Sequence, residues 1–329
     1  MFLGGLVTST GSGLAVPDWP LSFGQVFPPM VGGVLYEHGH RLAASAVGGL
    51  TLVLAVWMVL AEPRPAVRVL GLLALFTVIV QGVLGGVTVL YKLPLAVSVT
   101  HACLAQAFFC LTVTLAVVTG RGWAETVPTR ADAGTPPLPF LAALATTAVF
   151  GQVILGAVMR HMNAGLAIPD FPLAFGRIVP PLATPLVAIH FAHRVGALVV
   201  AAMVGWTAVR VLRRDRDDAG LRRPAVLAVV LVALQIALGA VIIWSRRAVT
   251  PTTTHVVIGA ALLATSLVIT LRAFRAIAMP RLVAPRLDVR STVQLVREGS
   301  GDLAESSRAS RVRFPSAPRV TPPQRVRAR

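Results

Sequence analysis

Four of the seven histidines in this chain stand where an imidazole can do chemistry. His40 and His101 each lie about six residues inside an apolar run, roughly 9 Å below its start if the run is helical. His193 and His255 sit at similar depth in two later runs. Two imidazoles at one level on neighbouring helices suit a bis-histidine haem, whose macrocycle supplies four nitrogens and leaves two axial positions to the protein. Copper or zinc also accept imidazole, but a closed site normally recruits Cys, Met or carboxylate to complete the shell. Only Glu37 is near, and only beside His40. A single histidine within a span is commonly a hydrogen-bonded packing residue. Four of them, paired by depth and duplicated along the chain, point to metal ligation.

The flanking residues add an asymmetry. Glu37 stands three residues before His40 and shares its helical face, whereas His190 holds the corresponding place before His193. A carboxylate beside only one of two similar sites implies that the two do different work, proton handling or stabilisation of a cationic intermediate among them. The bland alternative is a carboxylate that caps a helix N-terminus. Arg41 and Arg194 directly follow the histidines. They either pair with haem propionates, whose geometry a guanidinium matches, or anchor the helix at the interface. His38 and His161 fall nearer the water boundary and read as loop residues. His190, one turn from His193, is an alternative ligand that the duplication argues against.

The elements that must position these groups are membrane spans. Of 329 residues, 55% are apolar and 13% charged, too apolar for a soluble domain of this length. Apolar runs near 34–60, 67–90, 95–118, 139–159, 185–209, 224–244 and 252–274 are long enough to cross a bilayer as helices, which satisfy their own backbone there. Met1–Val7 reads as the last turns of a further span. The formal charge of +17 suggests nucleic acid, but residues 281–329 alone contribute eleven Arg against four acidic residues. The rest of the excess lies in short loops, the signature of orientation rather than phosphate recognition. Ten Arg in one set of connections face five Lys and Arg in the other, which places the first set in the cytoplasm and the loops at 8–33 and 160–184 outside. The histidines then lie toward the outer side of the cell membrane. Cys103 and Cys110, seven residues apart, would stack on one helix about 10 Å apart, too far for a disulfide.

An internal repeat organises the whole. Gly13-Leu-Ala-Val-Pro-Asp-Trp-Pro-Leu-Ser-Phe-Gly24 returns as Gly165-Leu-Ala-Ile-Pro-Asp-Phe-Pro-Leu-Ala-Phe-Gly176, each followed by a proline pair and then His40-Arg41 or His193-Arg194. Gln81 with Leu84-Gly85 is matched by Gln235 with Leu238-Gly239, and His101 by His255. Gly82-x-x-x-Gly86 is a small-residue face suited to close helix approach. The fold class is therefore all-α: a polytopic membrane protein of two parallel-repeat four-helix bundles. Residues 1–120 form the first half, 121–138 a cytoplasmic linker, 139–278 the second half, and 279–329 a disordered basic tail.

Thr10-Gly-Ser-Gly13, Pro17-Asp-Trp-Pro20, Glu37-x-x-His40-Arg41, Thr100-His101, His193-Arg194 and Thr254-His255 together resemble the haem A synthase family, from about residue 4 to 275. The resemblance implies eight spans in two four-helix halves and oxidation of the C8 methyl group of haem O to a formyl group, giving haem A for terminal oxidases. It implies haem b on His193 and His255, with Arg194 beside it, and His40 and His101 flanking the iron of the substrate haem. Glu37 matches the family's catalytic acidic residue. It implies haem O as substrate and, as partners, haem O synthase, the assembly of terminal oxidases and membrane lipid; self-association stays open. Many bacterial members carry a cysteine pair around the Pro-Asp-Trp-Pro motif, where this chain has Ala15, Val16 and Ser22, and the Arg-rich tail has no counterpart.

Two competing readings remain. A non-catalytic bis-histidine cytochrome would use the same four histidines but leaves Glu37 unexplained. A transporter would also be built of repeated halves, yet no broken helix or acidic residue marks the midplane.

Overall fold

The protein is described by a computed structural model covering residues 1–125, 130–132 and 134–278; the basic tail and part of the linker lie outside these residues. Residues Met1–Met279 form one compact unit. Its order is α1 (Phe2–Ser9), α2 (Gly33–Ala61), α3 (Pro65–Leu90), α4 (Leu95–Thr119), the short α5 (Arg121–Glu125), α6 (Leu138–His161), a 3-10 turn (Ala164–Leu166), α7 (Pro185–Arg214), α8 (Ala219–Trp244) and α9 (Val249–Ala276). Seven helices among the described residues are long and apolar enough to cross a membrane, at every place the hydrophobic runs predict. The chain is an all-α polytopic membrane protein.

Proline and capping residues set the helix starts. Pro65 and Pro185 occupy the first helical turn, where a missing N–H costs nothing, and Pro94 and Pro137 immediately precede α4 and α6. Asp218 caps α8, its carboxylate accepting from Gly220 N and Leu221 N at 2.8 and 3.2 Å. The apolar pattern places the start of that span at Pro224, but the helix begins five residues earlier and runs through the proline. Pro224 cannot donate to the carbonyl four residues back, and Arg272 of α9 does so instead, donating from Nη1 to Gly220 O at 2.6 Å. A single tertiary contact thus makes the internal proline tolerable.

α6 to α9 close a four-helix bundle, each packing on its chain neighbours and α6 on α9. In the first half α2 packs on α3 and α3 on α4, α1 lies against α2 and α9, and α4 joins the halves by packing on α6 and α9. The core of the second bundle is rich in alanine. Ala142, Ala225, Ala228 and Ala273 are buried with Leu138, Val211, Leu221 and Leu263. In hydrocarbon the helices gain no hydrophobic driving force from pairing, so small residues that permit close packing do the work. Thr146 and Thr270 add a hydroxyl pair at 2.8 Å between α6 and α9. A smaller cluster of Met58, Val67, Ala74, Leu115 and Val118 serves the first half. Large apolar side chains such as Leu60, 79% exposed, cover the outside as a lipid-facing surface requires. Both clusters sit toward the end away from the two long loops, and the histidines occupy the loop end.

Those loops, 10–32 and 162–184, are built alike. Asp18 accepts from Phe23 N and Gly24 N at 2.7 and 2.8 Å, and Asp170 from Phe175 N and Gly176 N at 2.7 and 2.9 Å. Each carboxylate thereby holds a Phe-Gly pair in the left-handed region, with φ of 53° and 71° in one copy and 54° and 70° in the other. Glycine takes the second position without steric cost. These N–H groups, foremost that of the glycine, hold both carboxyls below their ordinary pKa.

Candidate functional site

Each histidine of the repeat rests against a glycine on the adjoining helix. A Cβ added at Gly156 of α6 would lie 3.0 Å from His193 Cε1, and one at Gly4 of α1 would lie 3.3 Å from His40 Cε1. Gly85 of α3 approaches His101 and Gly239 of α8 approaches His255 in the same way, at 3.2 and 3.8 Å. The matched positions make the duplication three-dimensional. At Gly4, Gly85 and Gly156 a bare Cα lets the helix come close enough that an added side chain would press on the imidazole, whereas at Gly239 a Cβ would make only ordinary contact.

His193 and His255, on α7 and α9, face one another with ring centroids 6.5 Å apart and planes at 58°. Two imidazoles ligating one metal ion from opposite sides, through bonds of about 2 Å, bring their centroids roughly 6 to 6.5 Å apart. The spacing is that of two imidazoles that would share one iron. Gln152 of α6 fastens His193, its Nε2 donating to the His193 carbonyl at 2.8 Å and lying 3.1 Å from ring Nδ1. In the first half His40 and His101 take the matching places on α2 and α4. Gln81 of α3 plays the part of Gln152, donating to the His101 carbonyl at 3.0 Å with ring Nε2 at 3.3 Å. Nδ1 of His101 and of His255 are buried without a hydrogen-bond partner, so each ring keeps one nitrogen unsatisfied. Among the described residues no group of three or more His, Cys, Asp or Glu side chains comes together, so each pair lacks the further protein ligands of a bare metal centre.

Glu37 is 4% exposed and bridges α2 to the first loop. Its Oε2 accepts from Val16 N at 2.9 Å and its Oε1 from Arg41 Nη2 at 2.6 Å, while Arg41 Nη1 donates to Asp18 O and Leu21 O at 2.8 and 2.9 Å. The second half repeats this clamp with an imidazole. His190, equally buried, receives Ile168 N on Nδ1 at 3.2 Å and Arg194 Nε on Nε2 at 3.3 Å. Both neighbours can only donate, whereas a neutral imidazole accepts at one nitrogen, so the carboxylate satisfies the clamp fully and the imidazole only half. Arg194 further donates to Leu173 O, Ile168 O and Asp170 O and lies over the Phe171 ring.

Two sequence expectations are corrected here. His38 is no loop residue: it lies in α2, 5% exposed, with Nδ1 2.8 Å from Ser22 Oγ. The helix starts at Gly33, close to the predicted boundary, so His38 already stands in its second turn. His161 likewise closes α6. Gly86 does not seat a helix either. A Cβ there would fall 2.6 Å from Trp19 Cδ2, so the glycine receives the indole of the first loop, while Gly82 faces open space. The sequence reading missed Gln152 and the work of Gln81. The signal available was an amide one turn from a histidine-facing glycine.

Known proteins fit this arrangement. A model of the family described as cytochrome oxidase assembly protein (COX15-CtaA) matches residues 31–267. The chain belongs to this family. A heme A synthase of Symbiobacterium thermophilum is 35% identical over 253 residues, covering 72% of this chain and 78% of the relative. Heme A synthases of Shouchella clausii and Alkalihalophilus pseudofirmus are each 31% identical, covering 74% and 78% of this chain and 82% and 86% of theirs. As a COX15-CtaA protein the chain is a multi-pass membrane protein with haem-related chemistry.

Proposed function

We propose that this protein is a haem A synthase, a membrane oxidoreductase that oxidises the C8 methyl group of haem O to a formyl group. The observation that carries the reading is the His193–His255 pair, 6.5 Å apart, in a chain whose relatives of 31–35% identity are heme A synthases. In this reading His193 and His255 hold a resident haem b, and His40 and His101 hold the iron of the substrate haem O. Bound there, haem b supplies a one-electron carrier between the substrate site and an external partner.

The chain's own residues do the rest. Gln152 and Gln81 fix ring planes, which supports both sites as preorganised. Glu37, one helical turn from His40 and absent from the second half, acts at the substrate site by holding or moving a proton. Its partner Arg41 pairs with the carboxylate at 2.6 Å and aims it. Arg41 and Arg194 fasten the two long loops over the histidine level, closing the sites from water. The excess of basic residues in the opposite connections supports placing the histidines on the outer side of the cell membrane. Haem O synthase and the terminal oxidase are the partners that would deliver substrate and collect product.

The test is expression in cells that supply haem O but lack a synthase of their own, followed by haem extraction and mass identification. Haem A in the extract is the expected outcome. Haem b bound to the purified protein with haem O left unconverted would support a non-catalytic cytochrome instead.

A further inference from the structure

We infer that Arg160 and Arg247 form a carboxylate-binding site above the His193–His255 pair that grips the two propionates of the resident haem. The inference rests on the haem b reading of that pair. Arg160 lies on α6 four residues beyond Gly156, the glycine that faces His193. It therefore stands on the same face, about 6 Å further toward the loop end. Its Nη2 donates to Gly5 O and Ser9 Oγ at 2.9 and 2.8 Å, and Ser9 in turn accepts from Thr253 Oγ1 at 3.0 Å, two residues before His255. The guanidinium is thus fixed at the junction of α1, α6 and α9, with Nε and Nη1 left without a partner among the described residues.

Arg247 comes from the turn between α8 and α9, held at φ 68°, with its stem against Gly165. No side-chain hydrogen bond or ion pair engages it among the described residues, and Gly165, against which its stem lies, follows Arg160 by five residues in the turn that leaves α6. Two like charges half withdrawn from water, with no acid between them, are costly unless an anion completes the site. Paired guanidinium groups match paired carboxylates, which a haem held by His193 and His255 would present to Arg160 and Arg247. Arg194 is occupied elsewhere, by three loop carbonyls and His190. The first half lacks the grip: Thr8 and Leu93 stand where the repeat puts Arg160 and Arg247. A haem that must leave as product is held by its iron, and one that stays is held also by its acids.

The test measures haem release from the purified full-length protein to apomyoglobin. Arg247→Gln and Arg160→Gln are each expected to speed release roughly ten- to a hundredfold, and Arg247→Lys much less. Arg247 touches little protein, so its variant keeps the fold even if Arg160→Gln does not. Iron protoporphyrin dimethyl ester, which lacks the charges, should leave the wild type about as fast as haem leaves the double variant. Haem and its diester leaving the wild type at one rate would overturn the site, as would variants that lose both equally. A wild-type haem spectrum unchanged by His193→Ala would instead bring down the haem b reading itself.

Discussion

His193 on α7 and His255 on α9 face each other across the second bundle at 6.5 Å, although 62 residues separate them in the chain. If the pair holds haem b as proposed, substituting either with alanine would remove one of its two protein ligands. Bound haem b in the purified protein should fall by roughly tenfold or more, read from its reduced optical spectrum. Retention of full haem content in both variants would contradict the assignment.

Glu37→Gln keeps an acceptor for Val16 N but removes the charge that pairs with Arg41. Conversion of haem O should drop about a hundredfold or more, the scale of a lost general acid or base. Haem b content should stay at wild-type level because the second half is untouched. Unchanged conversion would reduce Glu37 to a loop clamp, the part His190 plays.

Gly156→Ala tests the glycine cradle. The new Cβ would stand 3.0 Å from His193 Cε1, tighter than the packed interior accepts. The ring must turn, at a cost of about 1–3 kcal/mol. A shifted midpoint potential or altered low-spin signal of bound haem would register the tilt, whereas Gly82→Ala, which meets open space, should leave both unchanged.

Acid should release the two long loops. The carboxyls of Asp18 and Asp170 have folded pKa values below the ordinary 3.8, because backbone N–H groups favour their charged form. A depressed folded pKa means that the stabilisation is complete above the unfolded value and disappears as pH falls through the folded one. Amide exchange at Phe23, Gly24, Phe175 and Gly176 should therefore hold steady at neutral pH and accelerate relative to other loop amides below about pH 4. Asp18→Asn should speed exchange in the first loop alone at every pH.

The sequence by itself determined the membrane class, the seven long helices and the duplicated halves. Hydrocarbon permits only self-satisfied helices, and a repeat of Pro, Asp and Gly in register has one structural meaning. It also singled out the four histidines, since polar groups at that depth are rarely idle. Tertiary structure alone decided what they touch. Which helix faces which depends on rotation about each axis, and apolarity on all sides leaves that rotation open. So the bare Cα of Gly156 behind His193, the amide of Gln152 upon it, and Trp19 lodged on Gly86 emerged only in the fold. The start of α8 turned on Arg272 reaching Gly220 from another helix, a contact no local pattern contains. Glu37 and His190, chemically unlike, proved to hold equivalent loops by equivalent pairs of donors, Val16 N with Arg41 and Ile168 N with Arg194.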